Sequence, residues 1–571
     1  MATAQTPAKT ALVLSLPQQI SAVGEVSAED NRAQHWRNRL RANGFTVRIG
    51  GAEFLNTALY NYGLVVLPGA SRALTADERD ALLSFVADGG SLILTQAAGL
   101  DARDANSPNS LAARLGLNYR YDLIDETNSW LVVLDKPSLL SARIARMHNI
   151  GIQAKRPIFV DSAIESTAFW LDQRFSPPDY EGASKQTAIT YGVYGRGRFF
   201  WMGFPIDGVG GDLQSSEAFY RLLGNLFDFF EAMPVAEIAP WPFPYKSGAI
   251  FSMDVEQQFG NIRKLFEMEN LPPTTYFILT NQGELYAETL KEIAGSKRGD
   301  QEIALHGDNH DVFRGQDPQQ QYERFKEAHE TITRITGTPP SGFRPPEEAY
   351  DFYTVRALLK SGFTYMLADH SPRASVPKLS REWAQPSLVE DLGDVLVQFN
   401  IHNKDDVKIV LGNNWPDPET TFQNYVRDYA QIREREALYI ANIHTHILAT
   451  DKYISVWERF IDHVRSFDPW VANCRQVADW WRKHEKVQLT HFRRDSHNVI
   501  FGIENNSGSP VENLAIDIWM PYAPAAVSVQ SRPQSTTEHR FHLEGNRLRL
   551  HVNPLKTDDI REFHVSWRAS N

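Results

Sequence analysis

The chain has 571 residues, of which 42% are hydrophobic, and its formal net charge at pH 7 is −12. This length favours three or four folding units, each with enough apolar residues for a packed core. The negative charge argues against a nucleic acid or an anionic membrane surface as a partner. The single cysteine, Cys474, excludes an internal disulfide and a zinc–thiolate cluster. No stretch reaches the roughly 18 consecutive apolar residues of a membrane span.

The segment 1–235 alternates strand and helix signals. Residues 11–16 predict a first β-strand, because this apolar run is too short for the hydrophobic region of a signal peptide. Residues 63–69 are an apolar run bounded by glycines, residues 75–78 have the form of a helix capping box, and residues 91–95 are the next apolar run. This succession predicts the βαβ units of a doubly wound parallel sheet.

A proline-rich segment separates this region from the next. Prolines are concentrated between residues 233 and 244 without hydrophobic periodicity, which indicates a stiff junction between domains. Farther on, residues 487–571 contain short runs of alternating apolar and polar residues, such as 498–504 and 514–519, separated by turn signals. This last segment is predicted to be an all-β sandwich.

Strand-like runs in the central segment, residues 245–485, end in side chains suited to metal and acid–base chemistry. Two imidazoles, His306 and His310, follow one run at a spacing that lets both reach a single divalent ion. The other runs end in Asp254 and Glu256, in Arg344, in Asp369, and in His444 and His446. Since enzymes with a β/α barrel place their chemistry at the C-terminal ends of the strands, a distorted β/α barrel is predicted.

These side-chain types are the ones that metal-assisted hydrolysis requires. Two imidazoles and one carboxylate leave an open position on zinc, where bound water is acidified to a pKa of roughly 7. A second carboxylate can accept the proton of the water, and an arginine can keep that carboxylate ionised. A separate histidine can protonate the departing amine. The set of residues therefore predicts a hydrolase.

The order and content of these segments resemble the NodB-homology polysaccharide deacetylases, whose five motifs read T-F-D-D-G, H-x-x-x-H, R-P-P, an aspartate segment and L-x-H. The resemblance covers about residues 245–485, and the histidine pair and the Arg-Pro-Pro at 344–346 match most closely. It implies a divalent metal, Zn²⁺ with Co²⁺ or Ni²⁺ as alternatives. The activity it implies is removal of acetyl groups from N-acetyl-hexosamine units of a polysaccharide.

The resemblance also implies a role for each site residue. It implies metal ligands at His306 and His310, the base at Asp254, the partner of the base at Arg344, a backbone N–H donor to the oxyanion at Glu347, and the acid at His444 with support from Asp369. The chain has Asp254 and Glu256 where the family has adjacent aspartates, so the third ligand is either of these two. The acid is either His444 or His446, and His444 is preferred because aliphatic residues precede it as they do in the family.

The N-terminal segment resembles class I glutamine-amidotransferase-like domains. Enzymes of that class carry a cysteine nucleophile at a strand-to-helix turn, which corresponds here to the neighbourhood of Gln96. Because the segment has no cysteine, we expect no amidotransferase activity and instead a structural role or a docking partner.

The order of the three domains looks similar to exopolysaccharide deacetylases of biofilm systems. That analogy implies a periplasmic or extracellular location, whereas the absence of a signal peptide in this sequence leaves a cytoplasmic one open. Two other functions stay open at this point. One is hydrolysis of a small non-peptide amide, and the other is non-catalytic polysaccharide binding by a decayed site.

Overall fold

The computed structural model describes residues 9–16, 25–69, 72–98, 107–120, 130–153, 158–162, 166–172, 180–210, 213–298, 300–369, 384–391, 393–532, 539–552 and 554–569. The chain divides into two compact units, the first formed by Met1–Ile144 and His148–Val235 and the second by Ala145–Met147 and Ala236–Asn571. Within the described ranges, no helix is both long enough and apolar enough to cross a bilayer.

The first unit contains eleven strands and six α-helices among its described residues. The strands are β1 (Thr10–Leu14), β2 (Thr46–Gly50), β3 (Leu64–Leu67), β4 (Ser91–Thr95), β5 (Leu117–Arg120), β6 (Trp130–Leu134), β7 (Asn149–Ile152), β8 (Phe159–Ser162), β9 (Ser166–Asp172), β10 (Thr187–Tyr194) and β11 (Gly197–Met202). The helices are α1 (Glu25–Ala42), α2 (Glu53–Thr57), α3 (Ala76–Ala87), α4 (Leu111–Arg114), α5 (Tyr180–Ala183) and α6 (Leu213–Phe230), with 3₁₀ turns at Leu59–Asn61 and Ile206–Gly208.

The strands of the first unit form one sheet in the order β2-β1-β3-β4-β11-β10-β9-β6-β7, with β8 paired to β10 and β5 paired to β8. The first five strands in this order are parallel to one another, and every neighbouring pair from β11–β10 onward is antiparallel. The prediction of a parallel sheet is therefore right for one half and wrong for the other. One antiparallel pair has a local cause, because Gly195 and Arg196 join β10 directly to β11 in a tight hairpin.

Two local features of the first unit bear on its predicted role. The capping box is confirmed, since the hydroxyl of Thr75 accepts a hydrogen bond from the Glu78 N–H at the start of α3. The residue after β4, Gln96, has a φ of 52°, the left-handed conformation of a sharp turn at a strand end. A glutamine there offers no thiol nucleophile.

The second unit holds the remaining elements. Its strands are β12 (Val235–Ile238), β13 (Gly248–Val255), β14 (Thr274–Leu279), β15 (Glu302–Gly307), β16 (Gly342–Phe343), β17 (Tyr365–Asp369), β18 (Ser387–Asp391), β19 (Asp394–Ile401), β20 (Leu438–His444), β21 (Trp470–Val471), β22 (Val487–Asp495), β23 (Asn498–Asn505), β24 (Leu514–Trp519), β25 (Pro524–Arg532), β26 (Phe541–Glu544), β27 (Arg547–Val552) and β28 (Ile560–Ala569). Its helices are α7 (Ile262–Phe266), α8 (Thr280–Gly283), α9 (Ala287–Ala294), α10 (Pro318–Thr336), α11 (Phe352–Lys360), α12 (Pro418–Arg433), α13 (Ile454–Arg465) and α14 (Cys474–His484), with 3₁₀ turns at Phe259–Asn261 and Pro346–Glu348 and a π-turn at Val407–Leu411.

A nine-stranded sheet forms the core of this unit, in the order β18-β19-β17-β16-β15-β14-β13-β20 with β21 beside β13. All its neighbours are parallel except β18 and β19. Within the described residues β18 and β20 are not paired with each other, so the predicted barrel is a curled half-barrel. Because the strands are parallel, their C-terminal ends lie along one edge.

The C-terminal segment forms two four-stranded sheets, β22-β23-β28-β25 and β12-β24-β27-β26. Their apolar faces meet in one core that includes Phe501, Phe563 and Leu550. One strand of this module, β12, comes from the segment that was predicted to be a linker. The linker prediction is wrong for these four residues, because the buried Ala236 packs into the core and the Ala239 N–H donates to the Ala515 carbonyl at 2.9 Å.

Buried ion pairs of β27 stabilise this module and attach it to the half-barrel. Within the module, Arg549 of β27 binds both carboxylate oxygens of Asp517 of β24 at 2.7 and 2.6 Å. Arg547 binds both carboxylate oxygens of Glu436 at 2.7 and 2.6 Å. Since Glu436 precedes β20 by two residues, the module is anchored at the N-terminal end of the strand that carries His444.

Candidate functional site

The central strands of the half-barrel bring the predicted acids and histidines together at their C-terminal ends. In β13, Asp254 lies beside His444 of β20 in the register of the sheet. Glu256 follows two residues after Asp254, so both carboxylates point to the same side of the pleat. His306 lies one residue before the end of β15, and His310 lies in the loop that follows it.

Glu256 is the carboxylate that lies between the two imidazoles. Its Oε1 atom is 3.0 Å from Nε2 of His306 and 3.0 Å from Nε2 of His310. The side chain of His306 is 2% exposed, whereas that of His310 is 39% exposed. Two ligands on one zinc ion, with bonds of ~2.1 Å, have a similar separation.

The chemistry of these atoms fits a divalent cation. Nδ1 of His306 is 2.9 Å from the carbonyl oxygen of Arg344, which can only accept a hydrogen bond. The imidazole therefore carries a proton on Nδ1, and in its neutral form it presents a lone pair at Nε2. That lone pair and the Oε1 atom of Glu256 can therefore bind the same cation. Glu256, His306 and His310 together form such a donor set.

Asp254 is buried beside this group, with 1% of its surface exposed. Its Oδ2 atom accepts hydrogen bonds from Nε of Arg344 at 2.7 Å and from Nδ2 of Asn442 at 2.9 Å. Its Oδ1 atom has no hydrogen-bond partner within the described residues. Burial acts to raise the pKa of Asp254, but the nearby positive charges, above all that of Arg344, outweigh burial and lower it. This carboxylate is therefore ionised at neutral pH and has one oxygen free to accept a proton.

Arg344 is held in place beside Asp254 by contacts on both of its ends. Its N–H donates to the Leu305 carbonyl at 2.9 Å, and its guanidinium lies 2.6 Å from Oε1 of Glu348. Glu347 and Glu348 both have left-handed backbone conformations, with φ of 52° and 54°. Such conformations in residues other than glycine cost about 1–3 kcal/mol and cluster at functional sites.

His444 is buried and faces both carboxylates. Its Nε2 atom lies 3.5 Å from Oδ2 of Asp254 and 3.8 Å from Oε1 of Glu256. On its other side, Nδ1 lies 2.6 Å from Oδ1 of Asp406, whose second oxygen accepts the backbone N–H of His444 at 2.7 Å. Burial acts to lower the pKa of His444, but Asp406 outweighs it and the pKa is raised to about 10. The imidazole is therefore a proton donor at neutral pH.

Asp406 is the residue that the sequence analysis missed. Asp369, the expected partner of His444, ends β17, but its side chain lies outside the described residues, and the Nδ1 position of His444 is taken by Asp406. The signal for Asp406 was present as an acid pair, Asp405 and Asp406, shortly after the apolar run of β19. The loop is fixed on β20, because the side chain of Asn403 donates to the Ile440 carbonyl at 2.8 Å and accepts the Ile440 N–H at 3.0 Å.

His446 differs from His444 in its surroundings. Its ring centroid is 5.6 Å from that of His444, and its Nδ1 atom is buried without a hydrogen-bond partner among the described residues. Burial and the neighbouring His444 lower the pKa of His446. Of the two histidines, His444 is thus the one that the carboxylate of Asp406 keeps protonated.

Comparison with known proteins identifies a relationship for part of the chain. Residues 256–366, which include His306, His310 and Arg344, match the model of the polysaccharide deacetylase family. No curated protein matches the chain.

Three solved structures are similar to parts or all of it. The carbohydrate deacetylase Agd3 is 10% identical, with 98% of this chain and 99% of that chain covered and a TM-score of 0.39. A probable polysaccharide deacetylase from Pseudomonas aeruginosa PAO1 is 16% identical, with 43% and 94% covered and a TM-score of 0.37. Puue allantoinase is 15% identical, with 43% and 93% covered and a TM-score of 0.36.

Proposed function

We propose that the protein is a metal-dependent N-deacetylase that removes acetyl groups from N-acetyl-hexosamine units of a polysaccharide. The observation that carries this proposal is the position of Oε1 of Glu256, 3.0 Å from both His306 and His310, next to a buried carboxylate and a buried imidazolium. The family match over residues 256–366 supports the same activity.

Glu256, His306 and His310 are the proposed ligands of the divalent ion, Zn²⁺ or alternatively Co²⁺ or Ni²⁺. When bound, the ion would supply a Lewis acid that polarises the acetyl carbonyl and favours ionisation of water. Asp254 is assigned to the base and not to the ligands, because Arg344 and Asn442 already occupy one of its oxygens.

The chain supplies both proton transfers of the reaction. Oδ1 of Asp254 accepts a proton from the water whose oxygen forms the new bond to the acetyl carbon. As the bond between that carbon and the amide nitrogen breaks, Nε2 of His444 donates its proton to the nitrogen, and the products are acetate and the free hexosamine amine. Asp406 stabilises the imidazolium before this transfer. The backbone N–H of Glu347 is the proposed donor to the oxyanion.

Exposed apolar side chains favour a polymer over a small amide as the substrate. Among the described residues of the half-barrel, most large exposed hydrophobic side chains follow the C-terminal end of a strand in the chain. Phe352 and Tyr353 lie in the first turn of α11, Val407 and Leu411 lie in the π-turn after β19, and Trp415 precedes α12, whereas Leu285 lies between α8 and α9 and Phe467 follows α13. The C-terminal ends of the parallel strands form the edge that carries the site, and aromatic rings at such an edge can pack against sugar rings.

The test measures metal content and acetate release in the same samples. Wild-type protein is compared with His306→Ala and with His497→Ala, a matched control in which an exposed histidine of the β22–β23 hairpin is removed. The substrates are N-acetylated oligomers of glucosamine and of galactosamine, their monomers, and a small linear amide.

We expect about one metal ion per chain and acetate release from oligomers in the wild type and in His497→Ala, with both lost in His306→Ala. Faster hydrolysis of the small amide than of any oligomer would overturn the substrate class. Absence of bound metal in wild-type protein after reconstitution would overturn the catalytic proposal and favour a binding protein.

A further inference from the structure

The two histidines of the candidate metal site are held in different ways. His306 lies in β15, and both of its ring nitrogens have partners, since Nδ1 faces the Arg344 carbonyl and Nε2 faces Glu256. His310 lies in the loop after β15, and among the described residues only its Nε2 atom has a hydrogen-bond partner, Glu256. The position of His310 must therefore depend on the backbone of its loop.

That loop begins with a sharp turn. Gly307 has a φ of 148°, and a Cβ atom there would lie 2.6 Å from the carbonyl oxygen of Asn309. The chain turns so that the Asp308 carbonyl accepts the Asn281 N–H at 2.9 Å, and the Asp311 N–H donates to the Asn309 side chain at 3.0 Å. These hydrogen bonds shape the loop, but they do not involve the helix that follows it.

One guanidinium of the following helix binds the loop on both sides of His310. Arg324 of α10 donates from Nε to both carboxylate oxygens of Asp308 at 3.0 Å, and Nη2 of Arg324 also reaches this carboxylate. The same Nη2 lies 3.1 Å from the side-chain oxygen of Asn309 and 3.1 Å from the carbonyl of Asp311. The residues on both sides of His310 are therefore bound to one side chain.

Arg324 is itself immobilised. Its Nη1 donates to Oε1 of Gln316 at 2.9 Å, and its guanidinium lies 3.9 Å from the ring centroid of Phe313. Phe313 is a buried residue of the loop, and its ring stacks on that of Phe325 of α10, with ring centroids 4.5 Å apart. The side chain of Arg324 is only 11% exposed. A planar group with several fixed donors is suited to such multiple contacts, which a lysine cannot reproduce.

We infer that Arg324 is a positioning residue that sets the metal affinity of the site by holding His310 in place. The inference rests on the proposed function, because it requires His310 to be a metal ligand. Residues that orient metal ligands typically change metal affinity by about 10–100-fold when they are replaced. Arg324 acts on the backbone around the ligand and not on the ion.

The test is the affinity of the metal-free protein for Zn²⁺ and Co²⁺, measured by competition with a chromophoric chelator. The variants are Arg324→Ala, Arg324→Lys, His310→Ala and the double variant Arg324→Ala/His310→Ala. Arg334→Ala is the matched control, since Arg334 lies on the same helix and pairs with the exposed Glu284 away from the loop. Thermal unfolding of the metal-free proteins reports any loss of folding.

We expect Arg324→Ala to weaken metal binding by about 10–100-fold, Arg324→Lys to recover only part of the affinity, and Arg334→Ala to match the wild type. The double variant should bind no more weakly than His310→Ala alone, because Arg324 acts through His310. A purely structural role would predict additive losses.

Wild-type affinity in Arg324→Ala, or losses that add fully in the double variant, would overturn the inference. If Arg324→Ala fails to fold, Arg324→Lys and Asp308→Asn decide the question by the same measurement. Equal affinity of the wild type and His310→Ala would instead count against the proposed metal site.

Discussion

Oε1 of Glu256 lies 3.0 Å from Nε2 of His306, and the hydrogen bond from Nδ1 to the Arg344 carbonyl leaves that Nε2 as an acceptor in the neutral imidazole. Two acceptors this close repel each other unless a proton or a metal cation lies between them. Glu256 also lies 3.0 Å from His310, whereas Asp254 is bound to Arg344 and Asn442. Asp254 in β13 and Glu256 just after that strand thus have different partners.

Separate roles for these carboxylates lead to the first prediction. Glu256→Ala should weaken metal binding by more than about 100-fold, because replacing a residue that only orients a metal ligand already costs up to about that much affinity. Asp254→Asn should keep the metal and lower kcat by about 100- to 10,000-fold, the usual range for a general base. Metal content and acetate release, measured on both variants, check this. Full metal occupancy in Glu256→Ala together with loss in Asp254→Asn would reverse the two roles.

Asp406 should be required for rate and not for substrate binding. Asp406→Asn removes the negative charge 2.6 Å from Nδ1 of His444, so the imidazolium loses its stabilisation. We expect kcat to fall by about 100- to 10,000-fold with KM little changed. Steady-state kinetics of acetate release are the measurement. Asp405→Asn is the neighbouring control, since Asp405 accepts the Lys408 N–H and does not contact His444. Equal kcat values for the two variants would contradict the role of Asp406.

Asp428 of α12 should make stability depend on pH. Burial raises the pKa of Asp428 to about 7, although its Oδ2 atom accepts the Lys404 N–H at 2.9 Å. The pKa of an aspartate in an unfolded chain is about 3.9, so the native state binds more protons between pH ~4 and ~7. The stability linked to this group is therefore present at low pH and is lost as the pH rises through about 7.

The Asp428→Asn variant tests this linkage. Its free energy of unfolding should change less between pH 5 and pH 8 than that of the wild type, by on the order of 1–4 kcal/mol, since each pKa unit corresponds to ~1.4 kcal/mol. Urea denaturation at the two pH values is the measurement. Asp451→Asn, which replaces an aspartate whose side chain is 93% exposed, should retain the wild-type dependence. The same pH dependence in Asp428→Asn and wild type would refute the assignment.

The ion pair between Asp517 and Arg549 should be costly to break from one side. Both side chains are almost fully buried, so Arg549→Met leaves the Asp517 carboxylate without its main partner in an apolar module. We expect a loss of about 3–5 kcal/mol in the free energy of unfolding. Arg532→Met, at a side chain that is 88% exposed, should cost less than about 0.5 kcal/mol. If Arg549→Met and Arg532→Met had similar denaturation midpoints, the buried pair would not stabilise the folded module.

The sequence by itself determined the local elements and the inventory of reactive side chains. Residues 91–95 and the capping box at Thr75 behave as their patterns predict, because apolar runs and caps depend on near neighbours. The pair His306 and His310 could likewise be recognised from its spacing in the sequence. Placing these histidines at the end of a strand also required only the local pattern of apolar residues.

Long-range pairing was not accessible in this way. The strand β12 lies in a proline-rich segment without periodicity, and only its partner β24 makes it a strand. The antiparallel pairing of β6 with β9 likewise follows from which strands meet and not from their composition.

Only the tertiary structure decided which side chains meet at the site. Asp406 lies 38 residues before His444 in the chain, yet it is in contact with both the ring and the backbone N–H of that histidine. Glu256 and Asp254 are equivalent in the sequence and become different because Arg344 reaches only one of them. The physical reason is that ligation and proton transfer act over about 3 Å, a distance that is set by the packing of strands far apart in the chain.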